Sequence, residues 1–265
     1  MQIEIDSFYS KGAGHQVCQD YIITGTEPFP YIILADGCSS SPHTDIGARI
    51  ICHKIKRFYE HQLPINIKTV MHSCDEVRRF LNLPQECLDC TIIMCTLTSN
   101  TINIYIYGDG SYFIEFNNGH YKYGNISFSN NAPFYPNYLI NEQRKKNYPD
   151  NKLITTHIIN YGGQEGNEIS TFTGERASVS ITPYYDFDTA TRIKSIMISS
   201  DGLSSFGLSF DKVYQYFSSF KTTKGEFIQR RAKRALKELA KEGFTNYDDI
   251  SIGGMYLCHN TTSQK

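Results

Sequence analysis

Apolar residues in this chain come in short runs. Tyr21–Thr24, Tyr31–Ala35, Thr91–Leu97, Thr101–Tyr107, Tyr112–Phe116, Ser178–Thr182, Ser195–Ser199 and Ile250–Leu257 are rich in Ile, Tyr, Thr and Val, and each is bounded by Gly, Asn, Asp or Pro. Branched and flat side chains suit a pleated surface, so these runs predict strands. Ser99-Asn100 and Asn117-Asn118-Gly119 read as hairpin turns between neighbouring runs. Strands joined by such turns argue for antiparallel sheet rather than βαβ winding. Helical spacing occurs in four places. Ile46, Ile50, Ile51, Ile55, Phe58 and Tyr59 share one face before Pro64. A second helix is expected over about Ile67–Leu83, with Val70, Val77, Phe80 and Leu81 turned inward, and a third over about Ser209–Phe220. The fourth carries Ile228, Ala232, Ala235, Leu236 and Leu239 on one side and stops at Gly243.

Residues 124–177 break the pattern. They are rich in Asn, Tyr, Gly and Pro, with little periodicity, and are too long for a plain connection. They predict a flap or insert with some strand content, within one domain spanning 1–265.

Composition narrows the classes. Hydrophobic residues make up 40% of the chain and charged residues 20%, enough to bury a core. With 26 Lys+Arg against 27 Asp+Glu, there is no whole-molecule basic field for nucleic acid or an anionic membrane. No apolar run approaches the ~20 residues of a membrane span. The opening MQIEIDSFYSKG lacks a basic region followed by an apolar one, so a cytoplasmic protein is expected, and separately it is expected to be a monomer. The basic run Arg230–Lys241 offers a phosphopeptide or nucleic-acid patch, but it is interleaved with Glu226, Glu238 and Glu242 and reads rather as a solvated helix face.

The eight cysteines are spread along the chain and read as free buried thiols. His72, Cys74, Cys87 and Cys90 offer a Cys3His zinc set, but there is no second C-x2-C knuckle and the intervening segment reads as helix.

The acids carry the chemistry. Three apolar runs end in Asp-Gly, at Asp36-Gly37, Asp109-Gly110 and Asp201-Gly202, while Asp20 and Asp248-Asp249 open two others. Any one Asp-Gly is ordinary turn chemistry. In antiparallel sheets, however, strands arriving at Asp36 and Asp201 and strands leaving Asp20 and Asp248 can share one end. Four carboxylates there would repel one another unless a cation neutralised them, and hard oxygen ligands select Mg²⁺, Mn²⁺ or Ca²⁺.

The order of these motifs resembles the metal-dependent protein phosphatases of type 2C. Cys18-Gln19-Asp20, Ala35-Asp36-Gly37 with Gly47-Ala48, Tyr107-Gly108-Asp109, Ser200-Asp201-Gly202-Leu203 and Asp248-Asp249-Ile250-Ser251 look like that family's boxes in sequence, covering about residues 10–257. The resemblance implies an α+β fold, a β-sandwich of two antiparallel sheets flanked by helices on both faces. It implies two Mg²⁺ or Mn²⁺ ions. Asp36 would bridge them and Gly37 would give its carbonyl, with Asp201 and Asp248 on the second ion and Asp20 acting through coordinated water. It also implies hydrolysis of phosphoserine and phosphothreonine in proteins targeted by a serine/threonine kinase. No Ser or Cys nucleophile elbow is visible. The alternative is a regulatory pseudophosphatase that keeps the fold without turnover.

The chain departs from the family in three places. His15 stands where the family has a phosphate-binding Arg, as in a divergent bacterial-like branch with Gly-x-x-His ahead of Cys-Gln-Asp, and it is assigned to the phosphate. Ser127–Pro136 contains Asn130 and Asn131 but none of the family's further acid. Cys38 takes the place of a proposed general-acid His, and a thiol of pKa ~8.5 replaces it poorly. Asp109 is expected to be structural, bonded to a neighbouring loop.

Overall fold

The computed structural model describes residues 2–98, 101–128, 130–148, 153–161, 164–172, 177–181 and 192–258. Twelve strands run β1 (Gln2–Ser10), β2 (Tyr21–Gly25), β3 (Tyr31–Gly37), β4 (Cys90–Leu97), β5 (Ile102–Tyr107), β6 (Gly110–Phe116), β7 (Tyr121–Phe128), β8 (Leu153–Tyr161), β9 (Gln164–Phe172), β10 (Ala177–Ile181), β11 (Ile193–Ser199) and β12 (Ile250–Cys258). The helices are α1 (Thr44–Glu60), α2 (Ile67–Phe80), α3 (Glu142–Asn147), α4 (Phe210–Ser218) and α5 (Phe227–Lys241). One sheet has the order β1-β12-β11-β6-β7-β8-β9 and the other β10-β5-β4-β3-β2, with every pairing antiparallel. Among the described residues no helix is long and apolar enough to cross a membrane.

The sequence dictates the layering. Strand β4, Cys-Thr-Ile-Ile-Met-Cys-Thr-Leu, is buried along its whole length because both of its faces are covered. Ile93, Cys95 and Leu97 enter the core between the sheets with Ile32, Leu34, Ile104, Ile114 and Ile196. Ile92 and Met94 face the other way and pack with Ile33, Ile51, Ile55 and Val70 under α1 and α2. On the far side, Met197, Phe113 and Ile252 meet Val213, Phe217, Ala232 and Leu239 of α4 and α5. The result is the expected four layers, helices, sheet, sheet and helices, an α+β fold.

Helix α1 seats itself through Gly47. A Cβ there would lie 1.6 Å from the Cys87 carbonyl oxygen, in the 3₁₀ turn Gln85–Leu88 that packs on the helix. Gly47→Ala is therefore expected to lower unfolding free energy by about 3 kcal/mol through overpacking, as read by urea denaturation. A change within about 0.5 kcal/mol, the size of a neutral surface substitution, would mean that the turn yields freely.

One expectation needs correction. Phe80 and Leu81 do not face inward; Phe80 is 90% exposed. The inward side of that last turn is taken by Asp75 and Arg78, joined at 2.6 Å, and Arg78 reaches the Leu83 carbonyl oxygen, so α2 ends at Phe80. His72 is exposed on α2 while Cys74, Cys87 and Cys90 are buried thiols, and burial pushes Cys74 up to about 12 and Cys87 to about 11. No zinc set assembles there among the described residues. Strand β1 is a strand that the apolar runs did not announce. The expected turn at Ser99-Asn100 lies outside the described residues, as does Thr182 at the end of one expected strand.

Candidate active site

The carboxylates meet because of strand direction. β3, β5 and β11 arrive at one end of the sandwich, and β2 and β12 leave from it. Asp36, Asp109, Asp201 and Asp248 line one cavity of about 490 Å³ there, together with Gly37 and Cys38. Asp20 sits beneath its floor, 1% exposed.

Local hydrogen bonds fix this end. Ser200 donates its Oγ–H to Asp20 Oδ2 at 2.8 Å, and its own Oγ accepts the Ser251 N–H at 3.0 Å. Ser200 N–H in turn donates to the Ser251 carbonyl at 3.1 Å, so β11 and β12 stay paired up to the site. Asp249 is buried and accepts the Gly12 N–H at 2.7 Å and the Gln19 N–H at 2.6 Å, tying the 12–19 loop to the start of β12. A Cβ on Gly202 would lie 1.7 Å from the Asp249 carbonyl oxygen, which explains why glycine follows Asp201. Gln19 donates to Thr44 Oγ1 at 2.7 Å and brings the first turn of α1 against Asp20 and Gly37.

The electrostatics are those of crowded acids. Burial raises the Asp20 carboxyl to about 7, partly offset by hydrogen bonds with Asp36 and Ser200. Burial, reinforced by the charges of Asp20 and Asp201, raises Asp36 well above the carboxylate range. Burial and the Asp201 charge raise Asp109 to about 8, and burial and the Asp248 charge raise Asp201. Protons or cations must therefore occupy this end at neutral pH.

Among the described residues, no three His, Cys, Asp or Glu side chains stand close enough together to hold a metal ion; the acids line an open cavity instead. Their chemistry nonetheless suits a hard divalent cation. Every charged donor is a carboxylate, and Asp20 Oδ1 is buried with no hydrogen-bond donor. A buried carboxylate oxygen left without a donor, in a side chain next to a second acid, is the mark of a missing positive partner.

His15 does not line the cavity. Its ring lies between Asp249 (Nδ1–Oδ2 3.0 Å) and Asp248 (Nε2–Oδ1 3.5 Å). Burial lowers its pKa, but the Asp249 hydrogen bond and the Asp249 and Asp248 charges outweigh this and leave it raised. Cys38 lines the cavity; burial raises its thiol, and hydrogen bonds with Ser40, Tyr135 and Ser41 outweigh that and lower it.

Two parts of the site go beyond the sequence reading. Asp109, expected to serve a neighbouring loop, faces the same cavity as Asp36 and Asp201. The opposite wall is built by Asp89 and Arg144. Asp89, 1% exposed, takes both arms of the Arg144 guanidinium at 2.9 and 2.7 Å, the Asn137 amide at 2.7 Å and the Ser41 hydroxyl at 2.9 Å. Arg144 lies over the Tyr138 ring at 4.8 Å and is the one cation among the described lining residues. The paired Asp and Arg are 55 residues apart, so no local spacing signals them.

The family model described as "Protein phosphatase 2C" matches residues 9–241. Asp248 lies past the end of that match and reaches the site through β12. Among solved structures, a bacterial serine phosphatase is 11% identical, with 98% of this chain and 100% of that chain covered and a TM-score of 0.58. The serine/threonine phosphatase Stp1 of Staphylococcus aureus is 10% identical, with 98% and 96% covered and a TM-score of 0.56. The Mycobacterium tuberculosis serine/threonine phosphatase PstP/Ppp is 12% identical, with 97% and 99% covered and a TM-score of 0.54. At such identities the likeness is one of fold. No curated protein matches the chain in sequence.

Proposed function

The chain belongs to the protein phosphatase 2C family, and from that premise we propose that it is a Mg²⁺- or Mn²⁺-dependent serine/threonine protein phosphatase. Its substrate is a protein phosphorylated by a serine/threonine kinase, and it acts as a cytoplasmic, single-domain monomer in that kinase's signalling. The observation that carries this reading is the set of acids at the sandwich end, Asp36, Asp109, Asp201 and Asp248 around one cavity with Asp20 below. Asp36, Asp201 and Asp248, with the Gly37 carbonyl, would hold two divalent cations, and Asp20 would act on them through water. Such cations supply Lewis acidity, lowering the pKa of a coordinated water and offsetting charge on the phosphoryl group.

The chain's own residues do the rest. Asp20 and Ser200 hold the floor, and Asp249 holds the loop that carries His15. The cavity is open at the surface, so a phosphorylated side chain can enter while its backbone stays outside. The test is turnover of p-nitrophenyl phosphate and of phosphoserine peptides with Mn²⁺, with Mg²⁺ and in EDTA. Activity that needs the metal supports the reading; equal turnover in EDTA overturns it.

One observation favours the rival, a regulatory module without turnover: the His15 ring is occupied by Asp248 and Asp249. We assign His15 to the phosphate, as a cation behind Asp248. Its raised pKa keeps the imidazolium present to higher pH than usual, and the charge is lost as pH rises through that raised value. His15→Ala is expected to raise KM for phosphate monoesters about tenfold and to flatten the rise of KM with pH, and His15→Arg to restore affinity without that pH dependence. An unchanged KM with weaker Mn²⁺ binding would make His15 a positioning residue for Asp248.

A further inference from the structure

We propose that the cavity between the end of α4 and the start of α5 binds a phosphorylated side chain of the protein substrate, at a second site away from the carboxylates. The occupant rests on the phosphatase reading above; the cationic cavity does not. It encloses about 240 Å³, and Lys221, Arg230, Arg231 and Arg234 line it together with the hydroxyl residues Ser219 and Thr222. No acid lines it among the described residues. Phe220 and Phe227 stack edge to face at 5.0 Å and hold the loop against the helix. From β1, Asp6 accepts the Gln229 N–H at 3.0 Å and so fixes the first turn of α5.

The cations are not spent on one another's neighbours. Arg231 is engaged by Glu238 and the Tyr216 carbonyl. Arg230 gives one arm to the neutral Lys224 carbonyl at 2.6 Å, which leaves its charge uncompensated. Lys221 and Arg234 are exposed and have no ion-pair partner among the described residues. Helix α5 as a whole carries six Lys and Arg against one Glu, in a chain of net charge −1. Guanidinium forks, an ammonium and hydroxyls around a small cavity suit a phosphate monoester, which offers three acceptor oxygens and nearly two charges.

The surroundings select a protein-borne phosphate over other polyanions. The large apolar side chains exposed on this molecule, among the described residues, are Tyr9, Val17, Phe29, Leu63, Ile65, Phe80, Leu81 and Tyr247, and none of them lines this cavity. The patch therefore offers no large exposed apolar side chain to a bilayer, and its two rings, Phe220 and Phe227, are taken up by packing edge to face on each other. Position matters too. α4 leads away from the turn that begins at Asp201, and α5 leads back toward Asp248, so the loop between them lies at the far end of the helical layer. Nine residues of α4 span roughly 14 Å. The phosphate held there is thus not the one hydrolysed, and on an extended peptide it lies at least about four residues from it.

The test uses fluorescence anisotropy in EDTA, where nothing turns over, with a labelled peptide bearing one phosphoserine and with its unphosphorylated twin. Wild-type protein is expected to bind the phosphorylated form at least about tenfold more tightly, and the double variant Arg230→Glu/Arg234→Glu to lose that preference. With Mn²⁺, a peptide bearing two phosphoserines ten residues apart should show a KM about tenfold higher in the double variant, while kcat and KM for p-nitrophenyl phosphate stay unchanged. Arg230→Lys/Arg234→Lys should keep most of the preference, which separates lost charge from a damaged fold. Equal phosphopeptide binding by wild type and double variant overturns the proposal. So does a loss confined to phosphatidylserine vesicles or to RNA. If no form turns over p-nitrophenyl phosphate yet the binding difference persists, the phosphatase reading fails and the phosphate site stands.

Discussion

Asp36→Asn is expected to abolish measurable phosphatase turnover and, in metal-free buffer, to leave the protein more stable than wild type. Both results come from one fact: Asp36 is packed against Asp20 and Asp201 with its pKa held far above the carboxylate range. Asn keeps the shape and is neutral at every pH, so the native state no longer has to take up a proton or bear a charge at this buried position. Without a metal, that relieves repulsion and desolvation. With a metal, it removes one of the three carboxylates that would hold the ions. Turnover should fall at least about a hundredfold, the loss already seen when residues that merely support metal ligands are changed. Asp201→Asn should behave alike, because its carboxyl is raised by burial and by Asp248. Circular dichroism and urea denaturation in EDTA, with kcat at saturating Mn²⁺, separate the two effects. An Asp36→Asn protein that unfolds more easily in EDTA and still turns over would mean that Asp36 is a structural acceptor and that the ions bind elsewhere.

The site is legible in the sequence where chemistry and strand ends coincide. Asp20, Asp36, Asp201 and Asp248 each adjoin an apolar run, and antiparallel order alone brings them to one end. Asp109 has the same Asp-Gly signature and nevertheless reads as structural, since a strand-end acid looks the same whether it points to a loop or a cavity. The structure turns it toward Asp201, so Asp109→Asn should weaken Mn²⁺ binding more than folding. The wall made by Asp89 and Arg144 is illegible for another reason: an ion pair across 55 residues has no period. The central strands β3 and β4 can be read because both faces are covered and the apolar run is continuous. β1 cannot. It is an edge strand whose inward Ile3 and Ile5 alternate with Glu4 and Asp6, and whose apolar side then switches at Phe8. The stretch 124–177 hides the β7 end, α3, β8 and β9 because Asn, Tyr and Gly neither alternate cleanly nor recur at helical spacing. For α2, the helical spacing is right about Val70, but it cannot show that Asp75 is buried and displaces Phe80 outward.

Metal-free protein should lose stability as pH rises from about 5 to about 8, and Mn²⁺ should reverse the trend. The sign follows from which state holds the protons. Unfolded, the acids titrate near 3.8; folded, Asp20 titrates at about 7 and Asp109 at about 8, with Asp36 and Asp201 also raised. Between those limits the native state binds more protons than the unfolded chain, so unfolding free energy falls with pH, by about 1.4 kcal/mol per pH unit for each retained proton. The acids share one cavity and do not titrate independently, which places the whole loss on the order of several kcal/mol. His15 acts in the same direction. Its folded pKa is raised, so its contribution is full below the ordinary imidazole range and is lost as pH climbs through the folded value. A divalent cation changes the balance by competing with the same protons. It binds the ionised acids, which are increasingly available as pH rises, and at a hundred times its dissociation constant it adds about 2.7 kcal/mol to the native state. Urea midpoints at pH 5, 6, 7 and 8, each in EDTA and in excess Mn²⁺, should therefore fall with pH in the first series and separate progressively from the second. Asp36→Asn should flatten the EDTA series, because one of the retained protons is gone. Parallel midpoints in EDTA and Mn²⁺ across this range would show that these carboxylates neither hold native protons nor exchange them for a metal.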